Sequence, residues 1–138
     1  MREARWFEDR WLWGALVAGL LLRCVPMFLW PQTDCVRDEC IYRFLAKGIL
    51  DDGVMGVTTK GWLSAPGYPY LLAFLKRATG SWFTIKWLQI AASVSSIPVL
   101  YGITRHVAPE SPKAARWAAW LLALHPTIAW YAGTWWIE

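Results

Sequence analysis

Residues 11–30, WLWGALVAGLLLRCVPMFLW, constrain this chain more than any other stretch, being 20 mostly apolar residues bounded by Trp at both ends. At about 1.5 Å per residue, a helix of that length crosses a hydrocarbon core of ~30 Å. Two later stretches, 82–104 and 116–136, have the same character and carry Trp near their ends. The composition agrees: 57% of the 138 residues are hydrophobic and 12 are Trp, which points to a membrane protein with three transmembrane helices. The net charge of +4 does not imply nucleic acid, because no dense basic run exists and the Lys and Arg residues lie beside apolar segments.

The basic residues set the expected orientation. Three Lys or Arg fall in residues 1–10 and three in 105–116, against six in the 51 residues of 31–81. The short basic segments therefore belong in the cytoplasm and the long loop 31–81 outside. The first apolar segment is too long, and lacks the small-residue site, for a cleavable signal peptide. Within the outer loop, Ile41, Tyr42, Leu45 and Ile49 recur at helical spacing and predict an amphipathic helix over 38–50 lying on the membrane surface. The segment SAPGYPYLLAFLKR decides the topology, since its unbroken apolar run from Tyr68 to Leu75 is only eight residues. That is about 12 Å of helix against a core of ~30 Å, so a second interfacial helix is expected over 67–78. The chain then reads as one all-α integral membrane module. It has a tail (1–10), a first span (11–30), an outer loop (31–81), a second span (82–104), a cytoplasmic loop (105–115) and a third span (116–136). This parity puts Glu138 on the outer side with Asp38 and Glu39.

Several residues could carry chemistry. Asp38 and Glu39 open the first interfacial helix, where the helix dipole favours carboxylates. They are either a solvated helix cap or a base able to take a proton from a hydroxyl delivered along the membrane. Arg23 interrupts the first span and either snorkels to the interface or faces a polar cavity. Lys86 lies near enough to the start of the second span to snorkel, and Ser93, Ser95 and Ser96 offer small hydrogen-bonding positions to a neighbouring helix. His125 and Pro126 fall inside the third span, and a histidine there is more often a packed, hydrogen-bonded residue than a ligand. Cys24, Cys35 and Cys40 have no metal-ligand spacing; Cys35 and Cys40 could pair in an oxidising compartment, but free thiols are the simpler expectation.

Taken in order, these pieces resemble the N-terminal part of a GT-C class membrane glycosyltransferase, of the glycosyltransferase family 39 type. That group includes protein O-mannosyltransferases and lipid A aminoarabinose transferases. The resemblance rests on an Arg-containing first span and an acidic pair opening a Tyr- and Ala-bearing helix (Asp38, Glu39, Tyr42, Ala46). It continues through the PGYP turn with its Leu-rich helix, a span ending in YGITRH, an Ala-rich span with a central Pro126, and the closing YAGTWWIE. It implies a partial GT-C fold that moves a sugar from a polyprenyl-phosphate carrier to an acceptor hydroxyl on the outer face, with inversion at the sugar carbon. By resemblance Asp38 is the first-loop acid that acts as base or orients the acceptor, Glu39 stands beside it, and Glu138 is the second-loop acid. The leaving phosphate needs cations, for which Arg23, Lys60, Lys76 and Arg77 are the candidates. Some relatives carry a Lys immediately before this turn, where this chain has Ser64 and Ala65. No cofactor is required by the pattern, although the carboxylates could hold a divalent ion weakly. The implied partners are membrane lipid, the polyprenyl-phosphate sugar donor and a larger membrane subunit, in a bacterial inner membrane with the active face outward. The alternative is a truncated, noncatalytic membrane protein or accessory subunit.

Overall fold

The computed structural model describes residues 8–29, 38–53 and 66–133, with side chains from residue 41 onward in the second stretch. Six helices make up the described chain: α1 (Arg10–Leu29), α2 (Asp38–Asp52), α3 (Gly67–Thr79), α4 (Trp82–Val107), α5 (Pro112–Ala123) and α6 (Pro126–Gly133). Among the described residues there is no strand. Two helices, α1 and α4, are long and apolar enough to cross a membrane.

Asp9 starts α1. Its Oδ1 accepts the Trp11 backbone N–H at 3.0 Å, and its carbonyl accepts that of Leu12 at 3.0 Å. One face of α1 is buried at Leu12, Ala15, Gly19, Arg23 and Pro26, a three- and four-residue rhythm that places them in a single stripe. The other side leaves Val17, Leu21 and Phe28 exposed, so the outward face is as apolar as the inward one. On α5, Ala115, Ala119 and Ala123 repeat every four residues and are fully buried, letting the backbones of α1, α4 and α5 approach closely.

The directions of the helices follow from which residues meet. Arg23 of α1 touches Ser93 of α4, the space over Gly19 is closed by Ile97, and Asp9 reaches Tyr101. Numbers rise along α4 as they fall along α1, so the two are antiparallel. Arg116 meets Asp9, the Trp120 ring covers Gly14, Ala123 lies over Gly19, and Gly133 sits on the Arg23 carbonyl and the Pro26 ring. α5 and α6 therefore climb alongside α1 in its own direction. At Gly133 a Cβ would stand 2.7 Å from the Arg23 carbonyl oxygen, so the last turn of α6 can pack there only without a side chain.

The expected third span departs from a single helix. α5 begins at Pro112, because Pro suits the first helical position, where no N–H is needed; the loop before it shrinks to residues 108–111. The chain breaks again before Pro126, whose missing N–H cannot bond the Leu122 carbonyl. Taken alone, α5 and α6 are about 18 Å and 12 Å long, shorter than a ~30 Å core. Helices are present over the two stretches expected at 38–50 and 67–78, each ending one or two residues later. α2 and α3 pack on each other and on the first turns of α4 through Ala46, Leu72, Ala73 and Ile85. The α3 to α4 connection is tight: Gly80 takes a left-handed φ of 69° and donates to the Lys76 carbonyl at 2.9 Å, then Ser81 caps α4 by accepting from Thr84 N–H.

Candidate functional site

Three polar centres lie along this bundle. The first is a platform at the end where α1 finishes, α4 begins and α6 terminates. There Tyr68, from the PGYP turn, is held edge-on to Tyr42 of α2 with ring centroids 5.2 Å apart, and its hydroxyl accepts from Gln89 Nε2 of α4 at 2.7 Å. Beside it the Trp82 ring collects two cations, with the Arg43 guanidinium carbon at 5.3 Å and Lys76 Nζ at 5.4 Å from its centroid. Contacts of this kind fix where a cation sits without consuming all its N–H donors. Arg77 follows Lys76 and is exposed. Two helices and the start of a third thus converge positive charge on one aromatic ring, an arrangement suited to an anionic group such as a phosphate.

The second centre surrounds Arg23, which is fully buried. Its Nε donates to Ser93 Oγ at 2.8 Å, one terminal nitrogen to the carbonyls of Gly19 at 3.1 Å and Ala123 at 3.0 Å, and the other to the Leu122 carbonyl at 3.2 Å. These bonds use four of the five N–H donors of a guanidinium. Leu122 and Ala123 lie in the last turn of α5, where Pro126 removes the i+4 bond to Leu122 and leaves its carbonyl the longer His125 N–H at 3.5 Å, and they carry the negative end of that helix's dipole. Arg23 is therefore turned into the bundle, where it serves as a tie between α1, α4 and the α5–α6 break. Ser95 and Ser96, by contrast, bond backward to their own helix at Ala92 and Ser93. His125 caps α6, its Nδ1 accepting the Ile128 N–H at 3.4 Å.

The third centre lies at the other end. Asp9 Oδ2 accepts from Tyr101 Oη and from Arg116 Nε, both at 2.8 Å, joining α1, α4 and α5. Partial burial by itself would raise the Asp9 carboxyl pKa. The hydrogen bonds from Arg116, Tyr101 and the Trp11 backbone, with the charge of Arg116, outweigh it and hold the group below its ordinary value.

Of the residues singled out from sequence, Lys76 falls on the platform, and Arg77 follows it as an exposed residue of α3. The backbone of Asp38 and Glu39 opens α2 beside it, but their side chains, with Lys60 and Glu138, lie outside the described residues. The same holds for Cys35 and Cys40, whereas Cys24 is a free thiol. Lys86 is buried at 4% exposure. Among the described residues no three His, Cys, Asp or Glu side chains group to hold a metal. Sequence reading passed over Arg43 and Asp9. For Asp9 a signal was present, an Asp directly ahead of an apolar helix, which is the usual mark of an N-cap. No family model, curated protein or solved structure matches this chain.

Proposed function

We propose that the chain is a membrane module of a GT-C type glycosyltransferase, which moves a sugar from a polyprenyl-phosphate carrier to an acceptor hydroxyl on the outer face of a bacterial inner membrane. The observation that carries this reading is the convergence of Arg43 and Lys76 on Trp82, at the end of the bundle where α2 opens with Asp38 and Glu39. In this reading α1 and α4 cross the bilayer, α5 with α6 forms a third crossing broken at Pro126, and α2 and α3 lie on the outer surface. The apolar outward faces of α1 and α4 suit contact with lipid.

Asp38 takes the proton of the acceptor hydroxyl as the oxygen bonds to the sugar carbon. The bond from that carbon to the carrier phosphate breaks in the same displacement, and the phosphate leaves as an anion stabilised by Lys76 and Arg77, with Arg43 added to them. Glu39 and Glu138 position the acceptor, and Lys60 belongs to the same outer face. Were a divalent ion to take part, these carboxylates would hold it, adding positive charge near the phosphate. Arg23 is withdrawn from the phosphate because its donors are spent inside the bundle. That same spending favours a second reading, a noncatalytic membrane subunit that works only with a larger partner.

Membranes containing the protein, given a labelled polyprenyl-phosphate sugar, distinguish the two. Asp38→Asn is expected to lower transfer by about 10²–10⁴-fold, the usual worth of a positioned base, with insertion unchanged. Transfer that is indifferent to Asp38→Asn contradicts the enzyme reading, and an inserted but inactive protein that copurifies with a larger membrane subunit supports the second.

A further inference from the structure

A groove of about 450 Å³ runs between α1 and α5, lined by Trp11, Lys113, Arg116, Trp117, Trp120 and Leu124. It lies at the Asp9 end of the bundle, away from the α2–α3 platform. Its α5 residues are spaced by three, one, three and four, so they form one face of that helix. Charge and apolarity are separated along it. Lys113 and Arg116 stand in the first turns, and the indoles of Trp117 and Trp120 and then Leu124 follow toward the middle of the bundle. From Lys113 to Leu124 the helix rises about 16 Å, close to the ~15 Å hydrocarbon depth of one leaflet.

The cations are available. Arg116 gives its Nε to Asp9, which fixes the guanidinium, while among the described residues its terminal nitrogens and the Lys113 ammonium have no partner. Asp9 is the carboxylate bonded to Arg116 and also accepts from Tyr101, so the Arg116 charge is shared with Asp9 and the Lys113 ammonium adds a further cation. A fixed guanidinium and an exposed ammonium above an aromatic trough match one kind of occupant by charge and by depth.

We infer that this groove binds an anionic phospholipid of the leaflet at the Asp9 end, with its headgroup phosphate on Lys113 and Arg116 and an acyl chain along Trp117, Trp120 and Leu124. The inference rests on the reading that α1 and α4 cross a bilayer. Lys113 sets the preference for an anionic headgroup; Trp117 holds the chain of any phospholipid. Both side chains are exposed, so changing them leaves the packing of the bundle intact.

The test is native mass spectrometry of the protein released from bilayers of phosphatidylcholine mixed with phosphatidylglycerol. One retained phosphatidylglycerol per protein is expected. Lys113→Gln should reduce its preference over phosphatidylcholine about five-fold, the effect of one basic residue at an anionic surface. Trp117→Ala should instead weaken both lipids together. A preference untouched by Lys113→Gln, equal retention of phosphatidylcholine, displacement by soluble glycerophosphate, or a groove closed by a second copy and read as a lipid-free dimer would each overturn the site. Alkaline extraction of the same membranes separates the premises. Protein that resists extraction but shows no lipid preference refutes only the groove, whereas wild-type protein released by alkali refutes the membrane reading itself.

Discussion

Arg23→Met is expected to cost the bundle about 2–4 kcal/mol of stability, and to cost clearly less when Pro126 is also replaced by Ala. The first figure follows from four hydrogen bonds lost at about 0.6–1 kcal/mol each, the range for polar contacts between membrane helices and in folded proteins generally. The second follows from why the bonds exist. Pro126 denies the Leu122 carbonyl its i+4 N–H and leaves it the longer His125 N–H at 3.5 Å, to which Arg23 adds a donor at 3.2 Å. In Pro126→Ala that N–H returns, α5 and α6 can run together, and the guanidinium is needed less. A coupling of about 1 kcal/mol between the two sites is therefore predicted. Arg23→Lys should recover little, because one ammonium cannot reach a serine on α4 and two carbonyls on α5 as the planar fork does. Reversible unfolding of the four variants in one lipid or detergent system measures this. Equal losses from Arg23→Met in both backgrounds would show that Arg23 does not answer the break at Pro126.

Asp9→Ala is expected to lose about 2–3 kcal/mol, the next largest effect. Loss of the N-cap accounts for about 1 kcal/mol. The bond from Tyr101 to a charged acceptor adds about 1–1.5. The ion pair adds no more than about 0.5, because the Arg116 side chain is 40% exposed and solvent screens it. A pH dependence accompanies this. The folded-state pKa of Asp9 lies below the ordinary value of 3.8, so its contribution is fully present above that value and disappears as pH falls through the lower folded pKa. Asp9→Asn, which keeps one oxygen for the Trp11 N–H but puts an NH2 where Tyr101 and Arg116 now donate, should remove this acid-sensitive part while retaining much of the cap. Unfolding followed from pH 6 downward would contradict the account if Asp9→Asn and wild type lost stability in parallel below about pH 4.

Much of the architecture was legible in residue order. The apolar spacing and length of 11–30 and 82–104 gave α1 and α4, and the spacing of Ile41 to Ile49 and the Pro-led run at 67–78 gave α2 and α3. Over the expected third span the backbone forms two helices instead of one, because apolar composition says nothing of backbone continuity. Pro126 breaks the hydrogen-bond ladder while His125, Thr127 and Ile128 keep the stretch looking like one segment. Pro112 acted oppositely, reading as loop although it starts a helix. For Arg23 the sequence could only pose a choice between interface and cavity. The answer depends on carbonyls a hundred residues away, exposed by a break that composition hides. Lys76 was found by its place at the end of a short helix. Arg43 carries no such signal, because its contact with Trp82 forms only through the packing of α2 and α3 on the start of α4.

In the proposed topology the α2–α3 platform and the far end of α6 face one side of a membrane, and the loop between α4 and α5 the other. Single cysteines placed at Tyr70, Glu110 and Glu138, in a chain whose own Cys24, Cys35 and Cys40 are replaced by Ala, measure it directly with a membrane-impermeant thiol reagent. Tyr70→Cys and Glu138→Cys should label in intact cells, and Glu110→Cys only after permeabilisation. Labelling of Tyr70→Cys and Glu110→Cys from the same side would contradict it.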